Sequence, residues 1–183
     1  HRFDLYPTLS APLPISPYLE SRAEIGVRDT YYIVQEYGDA QWDESDSQNR
    51  LLFDFKAELG TTLMRTFAMS GESMTGLNHQ VRPFVEYDFL PEVDQQDLPQ
   101  FDSVDTVDEK NQLAYGIDNF FDALSGDITD REYGWFKITQ SYSFLEDQSD
   151  EPFSDVNLDL KWIPVQFLEF WYKTDYDVYD NIF

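Results

Sequence analysis

The groups in this chain with the capacity for chemistry are carboxylates. Thirty-six Asp and Glu stand against 12 Lys and Arg, with two histidines, His1 and His79, and no cysteine. An activated nucleophile needs a base beside it and a third group to orient that base. His79 has no second histidine at relay or ligand spacing, so a structural role is expected for it. Paired carboxylates can do acid–base work, but among so many acids any Asp finds some Glu, and pairing carries no information. What remains is coordination of hard cations by oxygen. Residues 92–109 offer Asp94, Asp97, Asp102 and Asp105, without the Asp-x-Asp-x-Asn-Gly order of a calcium loop. The expectation is loose binding of calcium or magnesium at most, with no firm metal site, no cofactor and no catalysis.

A formal charge of −24 excludes nucleic acid as a natural partner. High charge usually suggests disorder, yet 17% of the 183 residues are aromatic, which disordered chains are not. The acids must therefore be segregated from the apolar residues. No run approaches the roughly 18 apolar residues of a membrane helix. The chain begins "HRFDLYPTL", already alternating, and is expected to be a single segment cut from a longer protein. Phe183 resembles the final aromatic of a barrel, but Asn181 breaks the alternation expected there, so that end also reads as a cut.

The elements that must position these acids are strands. Period-2 alternation recurs along the whole chain with no competing helical period. "LFDFKAELGTTLMRTF" sets Phe53, Phe55, Ala57, Leu59 and Leu63 against Asp54, Lys56, Glu58 and Gly60. "HQVRPFVEYDF" sets Val81, Pro83, Val85, Tyr87 and Phe89 against Gln80, Arg82, Glu86 and Asp88, with Phe84 an exception. The pattern predicts an all-β fold, an antiparallel up-and-down meander of about eight strands. Several exceed the ordinary globular length of ~5–6 residues and reach the ~9–11 that a tilted membrane-spanning strand needs.

Connections alternate as well. Residues 34–50, 90–111 and 145–155 are long and polar, whereas those between them are shorter. Within them, 39–46, 92–109 and 146–155 hold 16 of the 36 acids and no Lys or Arg. A meander sends all three to one rim. Short turns at one end and long loops at the other are the layout of an outer-membrane barrel. A soluble sandwich also alternates, but its polar face meets bulk water. Mixed charges with glycine on the polar face suit a lumen better, with Tyr6, Tyr18, Tyr31, Tyr87, Trp162 and Tyr172 as interfacial aromatics.

"LNHQVRPFVEYDFLP" followed by "DQQDLPQFDS" resembles the lipopolysaccharide-assembly outer-membrane family LptD, also called organic solvent tolerance proteins. The positions that carry the resemblance are His79, Pro83, Tyr87, Pro91, Asp94, Gln95, Leu98, Pro99, Phe101 and Asp102. "RFDLYPTLSAPL" agrees upstream, whereas "SGDITDRE" departs from the family's usual turn. The resemblance implies that this is part of a large transmembrane barrel, of which about eight strands are a fraction. It implies lipopolysaccharide and outer-membrane lipid as contacts, with an LptE-type plug lipoprotein and periplasmic bridge proteins as partners. A small closed eight-stranded barrel, or a soluble acidic sandwich binding carbohydrate or calcium, are the alternatives.

Two local expectations follow. Pro83 supplies no ladder donor, so its strand should be imperfectly paired on one side. Acidity alone does not require Leu98, Pro99 and Phe101, so that part of the loop should fold back and pack.

Overall fold

The computed structural model describes residues 1–35, 45–71, 74–102, 105–125 and 128–182. The ten strands among the described residues all lie in a single antiparallel sheet: β1 Arg2–Leu5, β2 Thr8–Pro12, β3 Glu20–Ile33, β4 Ser47–Gly60, β5 Leu63–Ala68, β6 Gly76–Leu90, β7 Lys110–Ser125, β8 Ile128–Ser143, β9 Val156–Val165 and β10 Leu168–Tyr176. β1 and β2 share one position beside β3, and β4 and β5 share one beside β6, so the sheet has the eight positions expected. Each of the eight positions pairs with the next, and the order is the meander. The β3–β4, β6–β7 and β8–β9 connections consequently leave from one end, here called the loop end, and the shorter ones from the turn end. The only helix among the described residues is a 3₁₀ turn, Glu146–Gln148.

Register fixes the two faces, because cross-strand partners point the same way. Glu24, Lys56 and Asp88 form one row across β3, β4 and β6; Arg22, Glu58 and Glu86 form the next. Charges on this polar face pair across strands, with Lys56 to Glu86 at 2.8 Å, Arg82 to Glu20 at 3.1 Å, and Arg82 also to Glu58. Phe84, the exception, sits between Gly60 of β4 and Gly116 of β7. A Cβ on Gly116 would strike the Ile138 carbonyl and crowd the Phe84 ring, so the glycine makes the trough that holds that ring.

The opposite face carries Ile25, Val27, Phe53, Val85, Ile117 and Ile138, all exposed. Within the described strands only Tyr32, Leu52, Ala123 and Ile163 are buried apolar side chains, so the sheet has no dry core of its own. Aromatic rows border this apolar face. Toward the turn end, His79 stacks on Phe121 at 4.4 Å and Trp162 on Phe170 at 5.5 Å. Toward the loop end, Phe144 lies against Tyr87 and Tyr142, and Phe153 against Tyr142. His79 and Tyr87 are eight residues apart on one strand, roughly 26 Å, which barrel tilt shortens to about 20 Å. That is close to the apolar band of a transmembrane barrel. Tyr6 is not in these rows: its hydroxyl donates to Asp54 at 2.9 Å, on the polar face.

Pro83 interrupts the sheet on one side. Against β7 the pairing runs from Gly76–Leu124 to Leu90–Lys110 without a shift. On the other side β4 stops at Gly60, opposite Phe84, and β5 resumes at Leu63, opposite Val81, in the same register. Thr61 N–H still donates to the Pro83 carbonyl at 3.2 Å, but proline has no N–H to return. The gap is one missing donor wide.

Pro83, Ile117 and Ile138 lie midway between the two aromatic rows. Ile117→Lys should therefore cost about 2–4 kcal/mol if this face meets lipid, the range for lysine at a bilayer midplane. Thr139→Lys, one residue away on the polar face, should cost little. Equilibrium unfolding of the full-length protein in bilayers compares the two.

Candidate functional site

At the loop end, the polar face of β1, β3 and β4 presents Arg2, Thr30, Tyr32 and Arg50, which alternate with the outward Phe3, Tyr31 and Leu51. Arg2 is opposite Tyr32, and Thr30 opposite Arg50. The β6–β7 loop folds back over them. Asp105 is the keystone, 1% exposed. Its carboxylate accepts the N–H groups of Phe101 (2.6 Å) and Asp102 (3.0 Å), the Arg2 guanidinium (2.9 Å) and the Tyr32 hydroxyl (2.9 Å). Arg2 also grips both oxygens of Asp102, at 2.6 and 2.9 Å. Arg50, equally buried, donates to Gln95 Oε1 (2.6 Å) and to the Asp105 carbonyl (2.5 Å). Gln95 in turn ties the loop to itself, accepting Val107 N–H and donating to the Val107 carbonyl.

The ten motif positions divide into two groups. His79, Pro83 and Tyr87, spaced by four, share the apolar face of β6. His79 Nε2 meets Asn119 Oδ1 at 3.0 Å, so each satisfies a polar atom of the other on that face. Tyr87 donates to Asn111 at 2.9 Å. The loop positions serve the latch: Gln95 and Asp102 are within it, Pro99 is buried and Leu98 half-buried. Phe101 packs beside Tyr32, ring centres 6.3 Å apart, while remaining half exposed. Pro91 is half-buried where strand becomes loop, and Asp94 accepts the Gln96 N–H at the surface. The four aspartates from which loose divalent binding at most is expected are not gathered at one point. Asp102 and Asp105 are taken by Arg2, Asp94 and Asp97 are exposed, and no three metal-ligating residues cluster among the described residues. Sequence reasoning missed Arg2, Thr30, Tyr32 and Arg50. The available signal was two arginines at strand ends that face loops lacking any cation.

Comparison with known proteins bears on the same stretch. The model of the family LptD, "LPS transport system D", matches residues 1–183. The chain belongs to the LptD family. An LPS-assembly protein LptD from Methylococcus capsulatus is 25% identical over 169 residues, covering 81% of this chain. The chain spans 15% of the length of that relative.

In this LptD segment the latch is an electrostatic closure. Burial alone would raise the Asp105 carboxyl. The Phe101 and Asp102 N–H groups, Arg2 and Tyr32 outweigh it and hold the group at about 2, below the ordinary 3.8. A depressed carboxylate stabilises the closed loop fully above the unfolded value, and that contribution disappears as pH falls through the folded value. Loop protection from protease should thus be flat from pH 8 to 5, and decline only below about pH 4. Asp105→Ala removes the acceptor of two backbone N–H groups, the Tyr32 hydroxyl and Arg2, and should cost closure roughly 3–5 kcal/mol. The measurement is limited proteolysis within 91–109 of the full-length protein; Asp97→Ala should cut as slowly as the parent.

Proposed function

We propose that this chain is part of the wall of an outer-membrane barrel that moves lipopolysaccharide to the outer leaflet of a Gram-negative cell. The observation that carries the reading is the split between the two faces of a single-layer sheet. One face exposes large aliphatic side chains bordered by aromatic rows; the other pairs its charges across strands. Such a sheet separates hydrocarbon from water. A soluble sandwich would cover Phe53, Ile117 and Ile138 with a second layer, and the described strands all lie in one sheet.

In this reading the loop end faces outside, because long loops leave outer-membrane barrels on that side. The acidic loops lie in external water, and the β6–β7 loop narrows the lumen beneath it. Strand residues act as scaffold and no side chain acts catalytically. Membership of the LptD family supports lipopolysaccharide as the cargo. A plug lipoprotein in the lumen and a periplasmic bridge that delivers the cargo complete the assembly we propose.

The test uses single cysteines in the full-length protein, since this stretch has none of its own. Gln96→Cys in the β6–β7 loop should react with a membrane-impermeant thiol reagent on intact cells. Gln166→Cys in the β9–β10 turn should react only after the outer membrane is permeabilised. Equal labelling of both on intact cells, or of neither, overturns the orientation. Depleting the protein should stop newly made lipopolysaccharide from reaching the cell surface.

A further inference from the structure

Positive charge on the apolar face is confined to one end. Of the 12 Lys and Arg, only Arg65 and Arg131 fall on that face, Arg65 in register with His79 and Arg131 with Ala123. Both lie toward the turn end, in or just beyond the aromatic row of His79 and Phe121. Toward the loop end the same face carries Asp29, opposite Leu5 and Leu51, and the tyrosines already described, but no cation. By register with His79, Arg65 is four residues from Pro83, roughly 13 Å along the strand and about 10 Å in depth. Half of a ~25 Å apolar band is about 12 Å, so the guanidinium sits at its border.

The two arginines also differ from the other cations in company. On the polar face Lys56 bonds Glu86, Arg82 bonds Glu20, and Arg22 lies opposite Glu58. The chain has 36 acids, yet among the described residues no carboxylate lies within ion-pair distance of Arg65 or Arg131. Arg65 is exposed, and its Cζ lies 5.0 Å from the Phe67 ring centre. Phe67 is two residues nearer the turn end, so the side chain leans away from the midplane, as a basic group does when its stem is in hydrocarbon. Arg131 lies 5.6 Å from the Tyr133 ring centre and donates to the Ile163 and Pro164 carbonyls, which leaves it further N–H donors.

We propose that Arg65 docks the phosphate of a phospholipid headgroup in the leaflet at the turn end, with Arg131 holding a second. A guanidinium fork matches two phosphate oxygens, and the headgroup supplies the acceptors that no carboxylate of the chain supplies. The half-exposed Phe67 ring lies where headgroup gives way to acyl chain, the depth that aromatic side chains favour. From β5 to β8 is three strand spacings, about 14 Å, so each arginine takes its own lipid. The site rests on the reading of this face as lipid-facing with the loop end outside. It adds that the wall grips the phospholipid leaflet by charge and offers the opposite leaflet only hydroxyls and a carboxylate.

The experiment titrates the delipidated full-length protein in detergent with phosphatidylglycerol and counts bound lipids by native mass spectrometry. Arg65→Gln should weaken the tightest binding about tenfold, equivalent to about 1.4 kcal/mol. Lys173→Gln, on the polar face of β10, should leave it unchanged. A diacylglycerol with the same chains and no phosphate should bind parent and Arg65→Gln alike. Folding of each variant is checked by heat-modifiable gel mobility. Parent-like phosphatidylglycerol binding by folded Arg65→Gln overturns the site. So does an equal loss of diacylglycerol binding, which would make Arg65 a packing residue for acyl chains. Tighter Arg65-dependent binding of lipopolysaccharide than of phosphatidylglycerol overturns it as well, since that lipid belongs to the other leaflet. If lipid binding ignores Arg65 while the cysteines label as a barrel, the wall reading stands and the site falls.

Discussion

Every backbone N–H and C=O in a single-layer sheet must be satisfied by the neighbouring strand, since no second layer can help. Where one face meets hydrocarbon, an unmade bond cannot fall back on water either. This constraint explains why strands here run to 14, 15 and 16 residues with few breaks of register. It also explains why irregularity is confined. At Pro83 a single donor is missing and the register recovers within two residues. The bulges of β8 opposite Phe121–Leu124 fall near the turn end, beyond the row of Pro83, Ile117 and Ile138. There a side chain serves free backbone groups, as Arg131 does by donating to the Ile163 and Pro164 carbonyls.

With the ladder fixed, side-chain identity reports solvent. Alternation alone made the eight positions, the two faces and the Pro83 defect legible, because each depends on residues adjacent in sequence or on a property of proline itself. Aromatic placement was less legible. Tyr87 and Trp162 border the apolar face as their strand-end positions imply, whereas Tyr6 precedes the β1–β2 break at Pro7 and its hydroxyl reaches Asp54. Gly26 lies across from Asp54 on β3, and any side chain there would strike that carboxylate. That arrangement is set by cross-strand register, which a linear pattern does not contain.

The latch was half legible for the same reason. Leu98, Pro99 and Phe101 were too apolar for a solvated loop, so folding back could be foreseen. What the loop folds onto could not. Arg2 and Asp102 are 100 positions apart, and Arg50 and Gln95 are 45 apart. Each arginine reads locally as an ordinary strand-end charge. Asp105 reads as one more acid in an acidic run, and only the fold shows that it is buried and fully occupied.

Its burial also answers a difficulty posed by the charge. The acids of 92–109 and 146–155 share the loop end, repel one another and would hold these loops apart and extended. A hydrophobic contact could dock the loop but would not choose which carboxylates turn inward. Arg2 makes that choice, because a guanidinium fork meets a carboxylate in few geometries and leaving it unmatched under the loop is costly, while Arg50 holds the same loop through Gln95 and the Asp105 carbonyl. Asp102 and Asp105 are drawn in while Asp94 and Asp97 stay out. Buried ion pairs are weak evidence for stability as such. Here the pairs set position: they fix one acidic loop over the polar face and leave Asp94 and Asp97 exposed.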